Sequence, residues 1–336
     1  MIGAKEAQTQ VAVNPSKGKR LRLGRIALLV GTVIIYIILS TGALVLYGPF
    51  ENIRRTVIGA ILTSRHPWVI TPFFSAETLA KYRPIGFDEM GEGSMQADDF
   101  SAIHDDGIEV IPINTAKYSG SLLVVKDPKR VHVAVTKDLN NVGQTVSEMV
   151  KDANAVAGIN GGGFYDVAGR GTGGMPLGLT ISRGKFIGGD QEAVQPVIGI
   201  TKDGALVVGK YTYKKLQQLG ISEAVSYGPQ LVRDGEPYLD ESEDTWGVAP
   251  RSAIGQRRDG AILLLALSGR GNNGIGASLL DCEQVMLDHG AYVAANLDGG
   301  YSTELYYAGE FLVTPSNPLG ERYVATSFIV DGVGRA

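Results

Sequence analysis

Two carboxyl groups and a pair of glycines lie close together near the end of this 336-residue chain, in the stretch AANLDGGYSTEL, residues 294–305. An apolar run that is typical of a buried strand ends at Asp298, and Gly299 and Gly300 follow at once. Glu304 supplies a second carboxyl group in the next segment. A carboxylate at a strand end, beside glycines that admit a ligand, is a candidate for acid–base or nucleophilic chemistry.

A second polar turn follows another short apolar run, in GINGGGFYD, residues 158–166. Asn160 stands at the turn, three glycines come next, and Phe164 and Tyr165 follow them. Successive glycines either let a ligand approach the backbone or allow positive φ angles. Aromatic rings beside a polar turn suit the faces of sugars, and a tight turn with a core phenylalanine is the alternative interpretation.

A third candidate is Arg251 in GVAPRSAIG, residues 247–255, at the start of a predicted strand. Its guanidinium is a planar fork of donors that suits a phosphate or a carboxylate. An arginine that is solvated or paired for structural reasons is the alternative.

Common catalytic signatures are missing from the sequence: it has no HExxH, no GxxxxGK[ST] and no GxSxG, and its four histidines show no metal-ligand spacing. GRGNNG, residues 269–274, matches GxGxxG after a predicted strand and before a helix beginning near Ala277. Too few residues follow it for the other strands of a dinucleotide-binding fold. We interpret it as a flexible turn that enters a helix.

Short β-rich runs alternate with Gly, Asp and Pro turns from Ile108 onward, and few helical patterns interrupt them. The best helical patterns are NVGQTVSEMVKDA, residues 141–153, and ASLLDCEQVMLDHG, residues 277–290. Strands in such excess with a few covering helices predict an α+β domain built on a mixed β-sheet.

The first part of the chain predicts a membrane anchor. Residues 26–47 carry no charge, and the preceding tail is rich in lysine and arginine. At ~1.5 Å per residue, this stretch makes a helix of about 33 Å, enough to cross a bilayer core of roughly 30 Å. The positive-inside rule places residues 1–25 in the cytoplasm and everything after the span outside. The sequence therefore predicts a single-pass protein of the cell membrane.

Residues 48–107 predict a juxtamembrane stalk followed by an acidic linker, and residues 108–336 the main domain. The formal net charge of −4 and the pI near 5.7 offer no basic surface for nucleic acid. Cys282 is the only cysteine, so no intrachain disulfide and no CxxC-type zinc site can form. An extracytoplasmic domain without disulfides favours a bacterial cell envelope.

Seven segments, taken in order, resemble the phosphodiester glycosidase family over residues 108–330. This family includes an animal enzyme that removes N-acetylglucosamine from a phosphodiester and bacterial members linked to exopolysaccharide. Tyr301 departs from the family, which usually has a third glycine there, and Glu304 stands where the animal enzyme has no acid. The segments are AGINGGGFYD, GGMPLGLTISRGK, SYGPQLVRDGEP, APRSAIG, LLLALSGRG…GASLLD, AANLDGGYSTEL and ERYVATSFIV.

The resemblance implies roles for individual residues. Asp298 takes the central catalytic role, with Glu304 or Asp166 as the partner that acid-assisted departure plus base or nucleophile requires. Arg251 and Arg322 hold a phosphate or another anionic leaving group. The catalytic candidates are Asp298, Glu304 and Asp166, and the substrate-binding candidates are Asn160, Gly161, Gly162, Phe164, Arg251, Gly299, Gly300, Ser302 and Arg322.

The resemblance also implies a function: a membrane-anchored, extracytoplasmic hydrolase that cleaves at the anomeric carbon of a sugar 1-phosphodiester or a related envelope glycan. A glycosyl transferase and a non-catalytic glycan-binding or assembly factor for exopolysaccharide or cell-wall polymers are the alternatives. No cofactor is required. Calcium bound by Asp298, Asp166 and nearby carbonyls is an option that the spacing does not demand.

Overall fold

The computed structural model describes residues 16–62, 67–82, 94–95, 99–165, 172–239, 246–269 and 274–333, without the side chains of residues 16–24, 52, 94 and 95. The chain divides into two compact units, Met1–Arg55 and Thr56–Ala336. Residues 56–107, predicted as stalk and linker, are therefore grouped with the larger unit. Ile58 and Ile70 are among its buried residues.

Helix α1 (Ser16–Tyr47) is the main element of the first unit. Its apolar part, Arg25–Tyr47, has 23 residues and is long and apolar enough to cross a membrane. The predicted helix over residues 26–47 is thus confirmed. Helix α2 (Glu51–Leu62) follows after three residues and runs across the division between the units.

In its described residues, the second unit contains three antiparallel sheets and a small two-stranded ribbon. The six-stranded sheet contains, in spatial order, β1 (Ser94–Met95), β11 (Leu206–Tyr211), β10 (Gln195–Thr201), β12 (Ile221–Val225), β8 (Thr180–Ser182) and β9 (Lys185–Gly188). The seven-stranded sheet contains β14 (Glu236–Pro237), β13 (Gln230–Arg233), β17 (Ala291–Asn296), β15 (Arg251–Arg257), β16 (Ile262–Leu267), β3 (Ser119–Val125) and β2 (Ile108–Asn114). The five-stranded sheet contains β19 (Glu310–Val313), β18 (Leu305–Tyr307), β5 (Ala155–Asn160), β20 (Thr326–Asp331) and β4 (Val131–Val135), and the ribbon pairs β6 (Phe164–Tyr165) with β7 (Met175–Pro176).

The helices of this unit are short. They are α3 (Ala76–Ala80), α4 (Val146–Asp152), α5 (Tyr213–Gln218) and α6 (Leu279–Asp288). Turns of 3₁₀ helix span Pro67–Val69, Thr71–Phe73, Pro128–Arg130 and Gly300–Ser302.

A shared hydrophobic core joins the three sheets. Each sheet turns one face into it: Ile198 comes from the six-stranded sheet, Ile254 from the seven-stranded sheet and Ile159 from the five-stranded sheet. The opposite faces pack against α5, α6 and α4, respectively. Strands in this arrangement are buried on both sides, which explains why β16 reads as an unbroken apolar run.

Two β-α-β units place the ends of their second strands in the same region. β4, α4 and β5 form the first, with β20 between the two strands. β16, α6 and β17 form the second, with β15 between its strands. The α+β prediction is confirmed. All strand pairings in the described ranges are antiparallel, so parallel directions occur only across an intervening strand.

Capping boxes fix where α4 and α6 begin. Ser278 and Asp281 cap α6, which confirms the helix expected in residues 277–290. Thr145 and Glu148 cap α4, so this helix starts after residue 145, and the prediction that the helical pattern includes Val142 is wrong. Val142 instead forms isolated bridges with Asp138 and Gly173.

We expect the replacement Gly158→Ala to destabilise the protein. A Cβ on Gly158 would lie 2.5 Å from Cγ2 of Val150 in α4, and β-branched valine has little freedom to move away. Overpacking of this kind costs about 1–3 kcal/mol. Chemical denaturation measures the change. The matched control is Gly188→Ala, in strand β9, where an added Cβ meets no atom within 4 Å, and equal losses in both variants would contradict the packing argument.

Candidate active site

The side chain of Asn160 lies at the centre of the candidate site. It ends strand β5 and is completely buried. Its Nδ2 donates to the backbone carbonyl of Asp298 at 2.6 Å. Its Oδ1 accepts from the hydroxyl of Ser252 at 2.6 Å and from the backbone N–H of Glu304 at 3.3 Å. Asn160 therefore ties together three chain segments that are far apart in the sequence.

Asp298 comes two residues after strand β17, and its backbone is tied to the Asn-Gly-Gly turn because its N–H donates to the carbonyl of Gly161 at 3.2 Å. Its carboxylate oxygen Oδ1 accepts from the Gly299 N–H at 3.0 Å and from the hydroxyl of Tyr227 at 3.1 Å. The carboxylate is thus oriented by two donors.

Tyr227 is a site residue that the sequence predictions missed. Burial raises the pKa of its phenol well above 10, and the charge of Asp298 raises that pKa further. The phenol therefore stays protonated and remains a donor to Asp298. Tyr227 lies between β12 and β13, and its position within the segment SYGPQLVRDGEP is the sequence feature that could have identified it as a site residue.

Arg251 is buried at the start of β15, where backbone carbonyls hold its guanidinium. Nε donates to Ala277 at 3.2 Å, and Nη2 donates to Trp246 at 3.1 Å and to Gly247 at 2.6 Å. A Cβ on Gly299 would lie 3.9 Å from Nη1, which places the cation beside the Asp298–Gly299 turn. The solvated alternative is wrong, because the side chain is 5 % exposed.

The glycines of the site are explained mainly by close packing. A Cβ on Gly161 would lie 2.6 Å from Oγ1 of Thr326, and one on Gly162 would lie 2.9 Å from the carbonyl of Ser226. On Gly299 it would lie 3.0 Å from the carbonyl of Pro250. Gly300 differs, because it has open space and a φ of 64° that favours glycine. Substrate contact at these four positions stays a prediction.

Glu304 is buried, and its carboxyl group is directed to helix α4. Oε1 accepts from the Val146 N–H at 3.4 Å, and within the described part of the chain Oε2 is buried without a hydrogen-bond partner. Burial raises the pKa of Glu304 well above 4.5, and the negative charge of Glu321 raises it further. Burial therefore favours the neutral form of the Glu304 carboxyl group. Asn160 links its backbone, and not its carboxyl group, to Asp298.

Ser302, Arg322 and Phe164 lie together, and a contact of these residues with substrate stays a prediction. Nη1 of Arg322 donates to the hydroxyl of Ser302 at 3.0 Å. The guanidinium carbon of Arg322 lies 4.6 Å from the centroid of the Phe164 ring, within cation–π range. Phe164 is buried and packs against Val146 and Val324 in the α4 cluster, so the core-phenylalanine interpretation is correct for this residue.

Asp166 lies outside the described residues. No group of three or more His, Cys, Asp or Glu side chains within the described ranges is placed to hold a metal ion. Calcium shared by Asp298 and Asp166 therefore stays an untested option.

The site places the oriented carboxylate of Asp298 beside the buried guanidinium of Arg251. The Asp298 carboxylate can act as a base or a nucleophile, and the guanidinium of Arg251 can stabilise an anionic leaving group. Tyr227 stays protonated beside both groups, because the charge of Arg251 opposes but does not outweigh the larger effects on its pKa.

We expect Glu304→Gln to remove one pH-dependent part of the stability. The folded state holds this proton more tightly than the unfolded chain does. The contribution of Glu304 is therefore complete below its ordinary pKa of 4.5 and declines as the pH rises toward the raised value. Over that window the wild type should lose about 1.4 kcal/mol per pH unit relative to the variant. Denaturation from pH 5 to pH 8 measures the difference.

The control for this experiment is Glu236→Gln, an exposed glutamate in strand β14. It should follow the wild-type pH dependence. A constant difference between Glu304→Gln and the wild type at every pH would contradict a buried neutral Glu304.

Comparisons with known proteins agree with the resemblance. The sequence pattern of the family described as phosphodiester glycosidase matches residues 153–331, more than half of the chain. The catalytic domain of zebrafish N-acetylglucosamine-1-phosphodiester alpha-N-acetylglucosaminidase, auto-inhibited by its pro-peptide, has a similar fold: the TM-score is 0.61 at 23 % identity, over 71 % of this chain and 88 % of that one.

YomE, an SPβ prophage-derived protein of Bacillus subtilis, is 30 % identical over 111 residues. That alignment covers 32 % of this chain and 17 % of the length of YomE, so it compares part of each protein. The matched range, residues 153–331, spans Asn160, Tyr227, Arg251 and Asp298, the residues whose contacts define the candidate site. The chain belongs to the phosphodiester glycosidase family.

Proposed function

We propose that this protein is a membrane-anchored glycosidase that acts outside the cytoplasm, on a sugar 1-phosphodiester or a related glycan of the bacterial envelope. The observation that carries the proposal is the Asp298 carboxylate, oriented by Tyr227 and Gly299 beside the buried guanidinium of Arg251. An anionic leaving group requires a cation to stabilise it, and attack at an anomeric carbon requires a carboxylate as nucleophile or base.

Asp298 is assigned to the anomeric centre, either as the nucleophile or as the base that activates water. Arg251 stabilises the phosphate as the bond between the anomeric carbon and the phosphate oxygen breaks. A phosphate that departs as an anion needs little protonation, so the reaction does not depend on a second carboxylic acid. This agrees with the Glu304 carboxyl group being directed to α4.

Membrane anchoring and topology are supported by the apolar helix Arg25–Tyr47 and by the basic residues before it. Five lysines and arginines lie between residues 17 and 25, which favours a cytoplasmic N-terminus. The second compact unit follows the span and would then face the outside.

Asp298→Asn should lower sugar release by roughly 10²–10⁴-fold, because an amide keeps the shape but can act neither as a base nor as a nucleophile. The assay uses the full chain in detergent and a panel of α-linked sugar 1-phosphodiesters that includes UDP-N-acetylglucosamine, and it quantifies free sugar. The exposed Asp203→Asn is the matched control and should keep wild-type turnover. Equal release by Asp298→Asn and the wild type would overturn the catalytic assignment.

Tyr227→Phe should lower kcat about 10- to 100-fold and leave KM nearly constant. The variant keeps the ring but removes the hydroxyl that orients Asp298, and a hydrogen bond to a charged group contributes about 1.5–3 kcal/mol. Steady-state kinetics on an active member of the panel separate kcat from KM. Tyr213→Phe, in helix α5, is the control. A rise in KM at constant kcat would show that Tyr227 binds substrate and does not orient Asp298.

A further inference from the structure

The segment Pro67–Phe73 presents large apolar side chains to the surface. Its two 3₁₀ turns expose Trp68 by 66 %, Val69 by 43 % and Phe73 by 56 %. Ile70, between the turns, is only 2 % exposed and fixes the segment to the second compact unit. Trp68, Val69 and Phe73 thus place three large, exposed apolar side chains within six residues of a folded turn, a cluster typical of an interaction site.

Charge is absent from this part of the chain. Residues 67–76, PWVITPFFSA, contain no Asp, Glu, Lys or Arg. Tryptophan and phenylalanine with uncharged neighbours are the residues that lie best at the boundary between lipid headgroups and acyl chains. The chemistry of the segment therefore matches a bilayer surface better than water.

The same chain brings this segment near a bilayer. The apolar part of α1 ends at Tyr47, and Trp68 follows 21 positions later, after α2 and a short connection. We propose that Trp68, Val69 and Phe73 insert into the interfacial layer of the membrane that α1 crosses. The proposal rests on the membrane anchoring proposed above. This contact would hold the catalytic unit at the bilayer and not at the end of a loose tether.

The two tryptophans of the chain, Trp68 and Trp246, allow a direct test. The full chain is reconstituted into lipid nanodiscs, with and without bromine on the acyl chains as a contact quencher. Trp246→Phe retains Trp68 as the single tryptophan, and the tryptophan emission should fall in brominated discs. Trp68→Phe retains Trp246, and its emission should be the same in both kinds of disc. Circular dichroism checks that both variants are folded.

A third variant, Phe73→Asp combined with Trp246→Phe, should lose the quenching, because a charge in the turn opposes insertion. Equal emission of Trp246→Phe in both kinds of disc would overturn the proposal, including the case in which a second copy of the chain covers Trp68. Equal quenching of both single-tryptophan variants would also overturn a contact confined to this segment. A chain that does not co-elute with the discs would overturn both the contact and the anchoring, whereas the sugar-release assay tests the glycosidase separately.

Discussion

The hydrogen bonds of the Asn160 amide are the constraint on which the site depends. A fully buried amide must find both donors and acceptors inside the protein, because an unmade hydrogen bond costs about 1–3 kcal/mol. The partners of Asn160 are Ser252, the backbone carbonyl of Asp298 and the backbone N–H of Glu304. Because these hydrogen bonds form together, they hold the end of strand β5, in the five-stranded sheet, against the end of strand β17, in the seven-stranded sheet. The Asp298 carboxylate, the candidate catalytic group, is carried by the second of these ends.

Glycine makes such a close meeting of strand ends possible. The Asp298 N–H donates to the carbonyl of Gly161 at 3.2 Å, and glycines in both turns are packed closely against other segments. Gly161 lies against Thr326, and Gly299 lies against Pro250. A Cβ at Gly161 would lie 2.6 Å from Oγ1 of Thr326, and one at Gly299 would lie 3.0 Å from the Pro250 carbonyl, so a larger residue at either position would force its neighbour to shift. The Asn-Gly-Gly and Asp-Gly-Gly turns therefore lie together where the five-stranded and seven-stranded sheets meet.

Residue types and their local order made several strands, helices and site residues predictable from the sequence. The apolar run of β16 predicts a strand buried on both faces, Ser278 and Asp281 predict the start of α6, and Asp298 before two glycines predicts a rigid carboxylate. Tertiary contacts could not be predicted in the same way. Tyr227 meets a carboxylate 71 residues away, and Glu304 is directed to Val146 across 158 residues. Neither hydrophobic periodicity nor motif spacing in the sequence indicates that the carboxyl group of Asp298 turns toward the site while that of Glu304 turns toward α4.

The different electrostatic surroundings of the two carboxyl groups favour the chemistry proposed for them. Asp298 accepts hydrogen bonds from a phenol and a backbone N–H and lies beside a guanidinium. Glu304 has an apolar burial site and the negative charge of Glu321, which favour its neutral form. A carboxylate beside an anomeric carbon can stabilise the positive charge that develops there in the transition state. The neutral Glu304 can then serve to pack the segment after Asp298 against α4, and the cation for the leaving phosphate comes from Arg251. The charges of the site are thus arranged for a bond whose leaving group is itself an anion.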